Sequence, residues 1–254
     1  MSFTHLHLAS GYSFKYGTTL PEELVEHAAE LGMNSIALTD RGTLAGAIRF
    51  AKSCQSNSIA PIIGIDIEYE NKSRITLLAT PGNWSSLVRL VTEIKNLTTP
   101  ISFEFFKKYS KYTSNLLALH GPSSNISKSL FAKRNNEALS LFNQTRDIFK
   151  NQALECVSHL TASGTKSTSH AARMLAFAID NDLPALLTNE VRMKERNDAP
   201  VADVLDAARK LLPLHKKVVD RSNAEAFLKN SDEMFALADL ISRAAGERDG
   251  RRIL

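Results

Sequence analysis

The sequence predicts an α/β protein whose mostly parallel sheet closes into a barrel and carries a helical C-terminal tail. Three observations carry that prediction. Short apolar runs alternate with longer amphipathic ones, the pattern of strand–helix repeats that build a parallel sheet. About seven of the short runs have strand length, and no glycine-rich phosphate loop of the open, doubly wound kind follows any of them. From Asp198 onward the pattern turns mainly helical.

The chain opens with FTHLHL (3–8) as a first strand, in which His5 and His7 lie two apart and so share a face. LPEELVEHAAELG follows, with Leu20, Leu24, Ala28 and Leu31 at helical spacing and glutamates in the first turn, where the helix dipole favours them. SIALT (35–39) is the second strand and LAGAIRFAKSCQS the next helix, with Phe50 packing inward. PIIGIDIEY (61–69) and RITLLA (74–79) are separated only by ENKS, too short for a crossover, and predict a hairpin. WSSLVRLVTEIKN supplies a helix packed through Trp84, and the Ser/Lys/Asn-rich stretches near 107–114 and 121–136 predict surface loops. NLLALH (115–120), ALECV (153–157) and ALLTN (185–189) are the remaining strands, with SKSLFAKRNNEALSLF and TSHAARMLAFAIDN as the helices between them. VADVLDAARKLL and SDEMFALADLISRAAG form the tail. The expected division is a barrel over 1–198 and a helical extension over 199–254, with Lys216–Lys217 on a solvated face.

Hydrophobic content of 43% and charged content of 23% are ordinary for a soluble globular protein. A net charge of +4 permits contact with nucleic acid without demonstrating it. Cys54 and Cys156 are far apart and outside any CxxC spacing, which argues against a disulfide framework or a zinc ribbon and makes them core fillers. No apolar run reaches membrane-spanning length and no secretory leader pattern opens the chain, so a cytoplasmic protein is expected.

Parallel α/β barrels build their sites at the carboxyl ends of the strands. Here those ends bring His5, His7, Asp40, Asp66, Glu68, His120, Glu155, His159 and Glu190 into consideration. Imidazole nitrogens and carboxylate oxygens are the ligands a cluster of divalent cations needs to hydrolyse phosphate esters. Each residue also has a plainer reading. A strand-end carboxylate commonly caps a helix or pairs with a base, and Asp40 before Arg41-Gly42-Thr43 suits a cap.

HLHLASGYSF, LVEHAAELGMNSIALTDRGTLAGAIRFAKSC and PIIGIDIEY together resemble the opening of a PHP (polymerase and histidinol phosphatase) domain. More narrowly, the chain is similar to the N-terminal PHP domain of bacterial C-family DNA polymerases, the DNA polymerase III alpha subunits. LLALHGP, ALECVSH, ALLTNEVRMKERNDAPVADVLDAA and AEAFLKNSDEM extend that similarity to nearly the whole chain. SGYSFKYG and ALTDRGTLAGA look most like the error-prone branch found in actinobacteria. The resemblance implies a distorted seven-stranded (βα) barrel.

In metal-binding members this fold holds two or three ions and hydrolyses phosphoesters, in some polymerases as a 3′–5′ exonuclease. By resemblance, His5 and His7 match the HxH motif, and Asp66 and Glu190 keep carboxylates at ligand positions. Asp40 and Glu155 are weaker candidates. The family's aspartate in YSxxDG falls on Tyr16, its TDH histidine on Arg41, its SGC cysteine on Pro122 and its NDVH histidine on Arg192. Proline and arginine offer a metal no suitable lone pair, and a guanidinium repels the cation it replaces.

The resemblance therefore implies a module without catalytic metals, in which Arg41 and Arg192 pair with Asp66 and Glu190. Any ion retained would be zinc or manganese at His5 and His7. No PDxDxDF-like palm motif occurs in the chain, so DNA synthesis is not expected of these residues alone. The implied partners are the palm and thumb of the polymerase, other replication or mutagenesis proteins, and DNA. The alternative is a metal-dependent phosphoesterase, an exonuclease or a small-molecule phosphatase, using His120 or His159 as its acid–base group.

Overall fold

The computed structural model describes residues 2–214, 221–246 and 253–254; Lys216–Lys217 lies outside them. Six strands form one sheet in sequence order: β1 (Ser35–Leu38), β2 (Ala60–Tyr69), β3 (Ser73–Ala79), β4 (Leu116–His120), β5 (Asn151–Val157) and β6 (Ala185–Thr188). β1 and β2 are parallel, β3 runs antiparallel to both its neighbours, and β4, β5 and β6 are parallel. The β2–β3 hairpin turns at Asn71 and Lys72, both in the left-handed region that a tight turn between twisted strands requires.

The N-terminal segment closes this sheet into a distorted barrel. On one side Ala37 of β1 donates to the His5 carbonyl at 2.8 Å. On the other, Val191 beyond β6 donates to the His7 carbonyl, and Ala9 donates back to the Val191 carbonyl, both at 2.9 Å. The strand expected over 3–8 is nevertheless irregular, with a single bridge between Leu8 and Val191. Its ladder is interrupted because the Leu8 amide donates to the Thr39 hydroxyl instead of a strand carbonyl.

Helices clothe the barrel: α1 (Pro21–Glu30), α2 (Ala47–Ser56), α3 (Trp84–Lys95), α4 (Phe103–Lys108), α5 (Ser110–Thr113), α6 (Asn125–Phe131), α7 (Asn135–Arg146), α8 (Thr168–Asp180), α9 (Ala199–Lys210) and α10 (Ser231–Ala244). The stretches expected as loops near 107–114 and 121–136 are largely helical. Ser102 and Ser124 cap α4 and α6 through their hydroxyls, a signal that composition alone hides. The single helix expected over 127–142 is two, divided where Lys133 takes a left-handed conformation at φ 61°. Phe50, Cys54 and Cys156 are buried as expected, whereas Trp84 at the first turn of α3 is 38% exposed.

Burial follows the two-residue period of the strands. Ile65, Ile67, Ile75, Leu77, Leu116 and Ala118 face outward onto the helices. Ala37, Leu78, Leu119 and Ala153 face inward, where Leu6, Ile62, Leu117 and Leu186 complete the barrel interior. Met234, Leu237, Ala238 and Ile241 of α10 pack with α8 and Phe3, so the C-terminal helix covers one flank.

Candidate functional site

The inward face of each strand becomes polar as it reaches the mouth. Two residues beyond Ala153 is Glu155, four beyond Ile62 is Asp66, and two beyond Leu186 is Thr188. β3 runs the other way, so Thr76 and Arg74 precede Leu78 at the same level. His7 enters this ring from the closing segment. Its Nδ1 lies 2.7 Å from Glu155 Oε1, and its Nε2 lies 3.9 Å from Asp66 Oδ2. Burial alone lowers an imidazole pKa, but Glu155 first, then Asp66 and Glu190, raise that of His7 from 6.5 to about 9. Both ring nitrogens are then protonated at neutral pH, and neither holds a lone pair for a metal.

Cations occupy the space above these carboxylates. Arg74 Nε contacts both oxygens of Asp66, at 2.8 and 3.0 Å, and its NH1 reaches Glu68 at 3.0 Å. The Glu68–Arg74 contact is set by register, since the two residues face each other across the hairpin. Arg41 lies with Nε 3.3 Å from Asp66 Oδ2 and NH2 3.6 Å from Glu190 Oε1. Its guanidinium carbon rests 3.2 Å from the Tyr16 ring centroid, and that of Arg192 lies 4.3 Å from the same centroid. Tyr16 donates its hydroxyl to Glu190 Oε1 at 3.3 Å.

Glu190 adopts a left-handed backbone, φ 42°, which is strained for a residue with a side chain. Lys166 reaches its other oxygen at 2.8 Å. Burial would raise the Glu190 pKa, but Lys166 foremost, then His7 and Arg41, hold it well below the usual carboxylate range. Arg192 departs from the pairing expected of it. It grips Asp206 of α9 through two bonds of 3.0 and 3.1 Å and donates to the Tyr16 carbonyl. Asp206 is completely buried and presents both oxygens, a geometry the planar guanidinium matches better than the more distant Glu190.

The structure brings His7, Asp66, Glu155 and Glu190 together and leaves the other candidates apart. His5 donates to or accepts from the Lys229 carbonyl region at 2.9 Å through Nε2 and sits edge-on to Phe3, on the outer flank beside α10. The alternation expected to align it with His7 breaks between Leu6, which packs inward, and His7, which also turns inward. Asp40 accepts from the Ser10 amide and from the Ser10 and Ser13 hydroxyls, so it fixes the loop that carries Tyr16 and caps no helix. His120 faces outward to Gln152 and Phe142. His159 borders the mouth, where its Nε2 contacts the Asn189 carbonyl at 2.8 Å. Burial lowers the His5 and His120 pKa values to about 4 and that of His159 to about 3.

Two cavities share this ring. The inner one, about 10 Å³, lies between His7, Asp66, Thr76, Gly121 and Glu155 and has room for about one water. Pro122 lines it with a ring that has no donor or acceptor. Gly121 is required there, because a Cβ would lie 2.0 Å from Glu155 Oε2. The outer one is an open cleft of about 440 Å³ above Arg41, Arg74, Glu190 and Arg192. Among the described residues, no three His, Cys, Asp or Glu side chains are arranged to hold a metal ion.

Sequence reasoning missed Arg74, Lys166 and Asp206. The first was legible in the hairpin register and the last as an acid on the apolar face of α9, in line with Ala199 and Ala202. Lys166 lies in a Ser/Gly/Thr loop with no local signal. No helix of the described residues is long and apolar enough to cross a membrane.

Comparison with known proteins identifies the ring. The family model of the PHP domain matches residues 5–159, more than half of the chain. An error-prone DNA polymerase of Symbiobacterium thermophilum is 28% identical over 92% of this chain, which spans 23% of that protein. The DNA polymerase III subunit alpha of Buchnera aphidicola is 26% identical over 94% of this chain and 21% of its own length. The chain thus spans less than a quarter of these curated relatives. A candidate metal-dependent phosphoesterase from Bifidobacterium adolescentis shares the fold, with a TM-score of 0.50 and 15% identity over 74% of this chain and 86% of that one.

Proposed function

The chain belongs to the PHP domain family, and on that premise we propose that it is the PHP module of a cytoplasmic, error-prone type DNA polymerase III alpha subunit. In this reading it acts as a scaffold against which the palm and thumb pack, and it binds no catalytic metal. One observation carries the reading: Arg41 sits between Asp66 and Glu190, within 3.6 Å of both. A divalent ion bridging those carboxylates would share the space of a guanidinium that never loses its charge. Arg74 and Lys166 compensate the same two carboxylates from other sides. The donor set that would remain does not fit a cation cluster, because a cluster needs several unprotonated ligands and an open position.

Scaffolding follows from the same contacts. Ion pairs link β1, β2, β3 and the loops bearing Lys166 and Glu190 around one mouth. Arg192 extends the linkage to α9 through Asp206. The test is hydrolysis of a generic phosphodiester by the purified protein in the presence of Mn²⁺, Zn²⁺ or Mg²⁺. No turnover with any ion is expected. Turnover that disappears in His7→Ala would overturn the reading in favour of a metal-dependent phosphoesterase.

A further inference from the structure

The outer cleft presents its charges in layers. Asp66 and Asp206 are almost wholly buried beneath the mouth, whereas the Arg41, Arg74, Lys166 and Arg221 side chains are 17–32% exposed. A solute entering the cleft therefore meets nitrogen donors before it meets the buried acids. Arg41, Arg74, Lys166, Arg192 and Arg221 line it from different elements, with Asn223 at the edge. Glu68 and Glu190 also line it, and each is already engaged, Glu68 by Arg74 and Glu190 by Lys166 and Arg41.

The donors are not used up by these pairs. Arg41 holds its acids at 3.3 and 3.6 Å, and its buried Nε makes no hydrogen bond. Lys166 has three N–H donors and a single close carboxylate oxygen at 2.8 Å. Cations converging from several directions on a recess with donors to spare suit a tetrahedral oxyanion, since guanidinium and ammonium groups bind phosphate oxygens through charge-assisted bonds. A volume of about 440 Å³ admits more than a phosphate and matches a nucleotide-sized ligand.

We propose that this cleft is a metal-independent binding site for a phosphate-bearing ligand of nucleotide size, held by Arg41, Lys166 and Arg221 and left uncleaved. The shared chemistry is a nucleotide phosphate, whether on a free nucleotide or at the phosphorylated end of a DNA strand. The inference rests on the metal-free reading of the mouth, and the two fail differently.

The test is calorimetric titration of the 254-residue protein in EDTA at low salt. Inorganic phosphate, thymidine monophosphate, and a short oligodeoxynucleotide with and without a 5′-phosphate are the probes. Thymidine monophosphate is expected to bind, and Arg221→Gln and Lys166→Gln are each expected to weaken it about tenfold. Arg221 pairs with Asp203 at a part-exposed position, so its variant keeps the mouth intact if Lys166→Gln unfolds.

Tighter binding of the phosphorylated oligonucleotide than of the free nucleotide supports the site and assigns its ligand to a DNA end. The reverse order supports it and assigns a free nucleotide. No binding of any phosphate-bearing probe in EDTA overturns the inference, as does equal affinity in both variants, or with and without the 5′-phosphate. None of these results touches the metal-free reading, which turnover with a divalent ion alone overturns.

Discussion

His5 and His7 are separated by one residue and occupy opposite worlds. His5 lies on the outer flank, edge-on to Phe3, with its pKa lowered by burial to about 4. His7 lies inside the mouth among Glu155, Asp66 and Glu190, and its pKa is raised to about 9. The same residue type in the same motif is thus neutral on one side of the closing segment and cationic on the other. The difference teaches that an HxH pattern marks a place in a fold, while the carboxylates and cations supplied by distant strands decide what the place does.

The sharpest way to break this comparison is to exchange each imidazole for a ring without nitrogen. His7→Phe strands Glu155, whose Oε2 already lacks a hydrogen-bond partner, without its close cation. Removing one member of a buried pair costs about 3–5 kcal/mol. His5→Phe keeps the ring contact with Phe3 and gives up one hydrogen bond to the Lys229 carbonyl, a loss of about 1 kcal/mol. Denaturant unfolding of the two variants measures the gap directly. Equal costs would show that the two sites do not differ as their partners indicate.

The pH dependence of stability should split along the same line. The folded pKa of His7 lies above its unfolded value of 6.5, so its contribution is complete below pH 6.5 and is lost as pH rises toward 9. His5, His120 and His159 have folded values of about 4, 4 and 3, so the fold favours their neutral forms. Their effect reverses the sign: stability is full above pH 6.5 and is lost as pH falls toward 4. Thermal unfolding from pH 4 to 9 is expected to weaken on both sides of neutrality. In His5→Phe the acid limb should become shallower while the alkaline limb is unchanged.

Gly121→Ala probes the ionic side without removing a charge. The added Cβ meets the Glu155 carboxylate, which His7 and Thr188 hold in place, so the contact is relieved only by displacing that pair. A cost of about 1–3 kcal/mol is expected from overpacking. Glu155→Gln in the same background should recover little of it, because the amide fills the same volume.

Much of this was legible in the sequence. Strand–helix alternation led to the barrel, and ENKS to the hairpin, because apolar period and turn chemistry act locally. The inward polar positions were legible as well, since Glu155 and Asp66 continue the parity of interior residues. The orientation of His5 was not, because it depends on the Leu8 amide choosing the Thr39 hydroxyl over a strand carbonyl. Arg192 was recognised as a cation at a ligand position, but its partner Asp206 lies on a helix whose docking no local pattern encodes. Resemblance located the altered positions, and only tertiary contacts disclosed which charges answer them.

Metal addition is the smallest expected effect and discriminates most finely between a degraded site and a replaced one. A specific ion at a hundredfold excess over its dissociation constant would stabilise the fold by about 2.7 kcal/mol. In a chain of this size that corresponds to a rise of roughly 5–10 °C in Tm. Replacing EDTA with Zn²⁺ or Mn²⁺ is expected to move Tm by less than about 1 °C. Arg41→His should leave that difference unchanged, because Arg74 still holds Asp66 and Lys166 still holds Glu190. A metal-dependent rise confined to Arg41→His would mean that this one guanidinium, rather than the whole ring of cations, keeps the ion out.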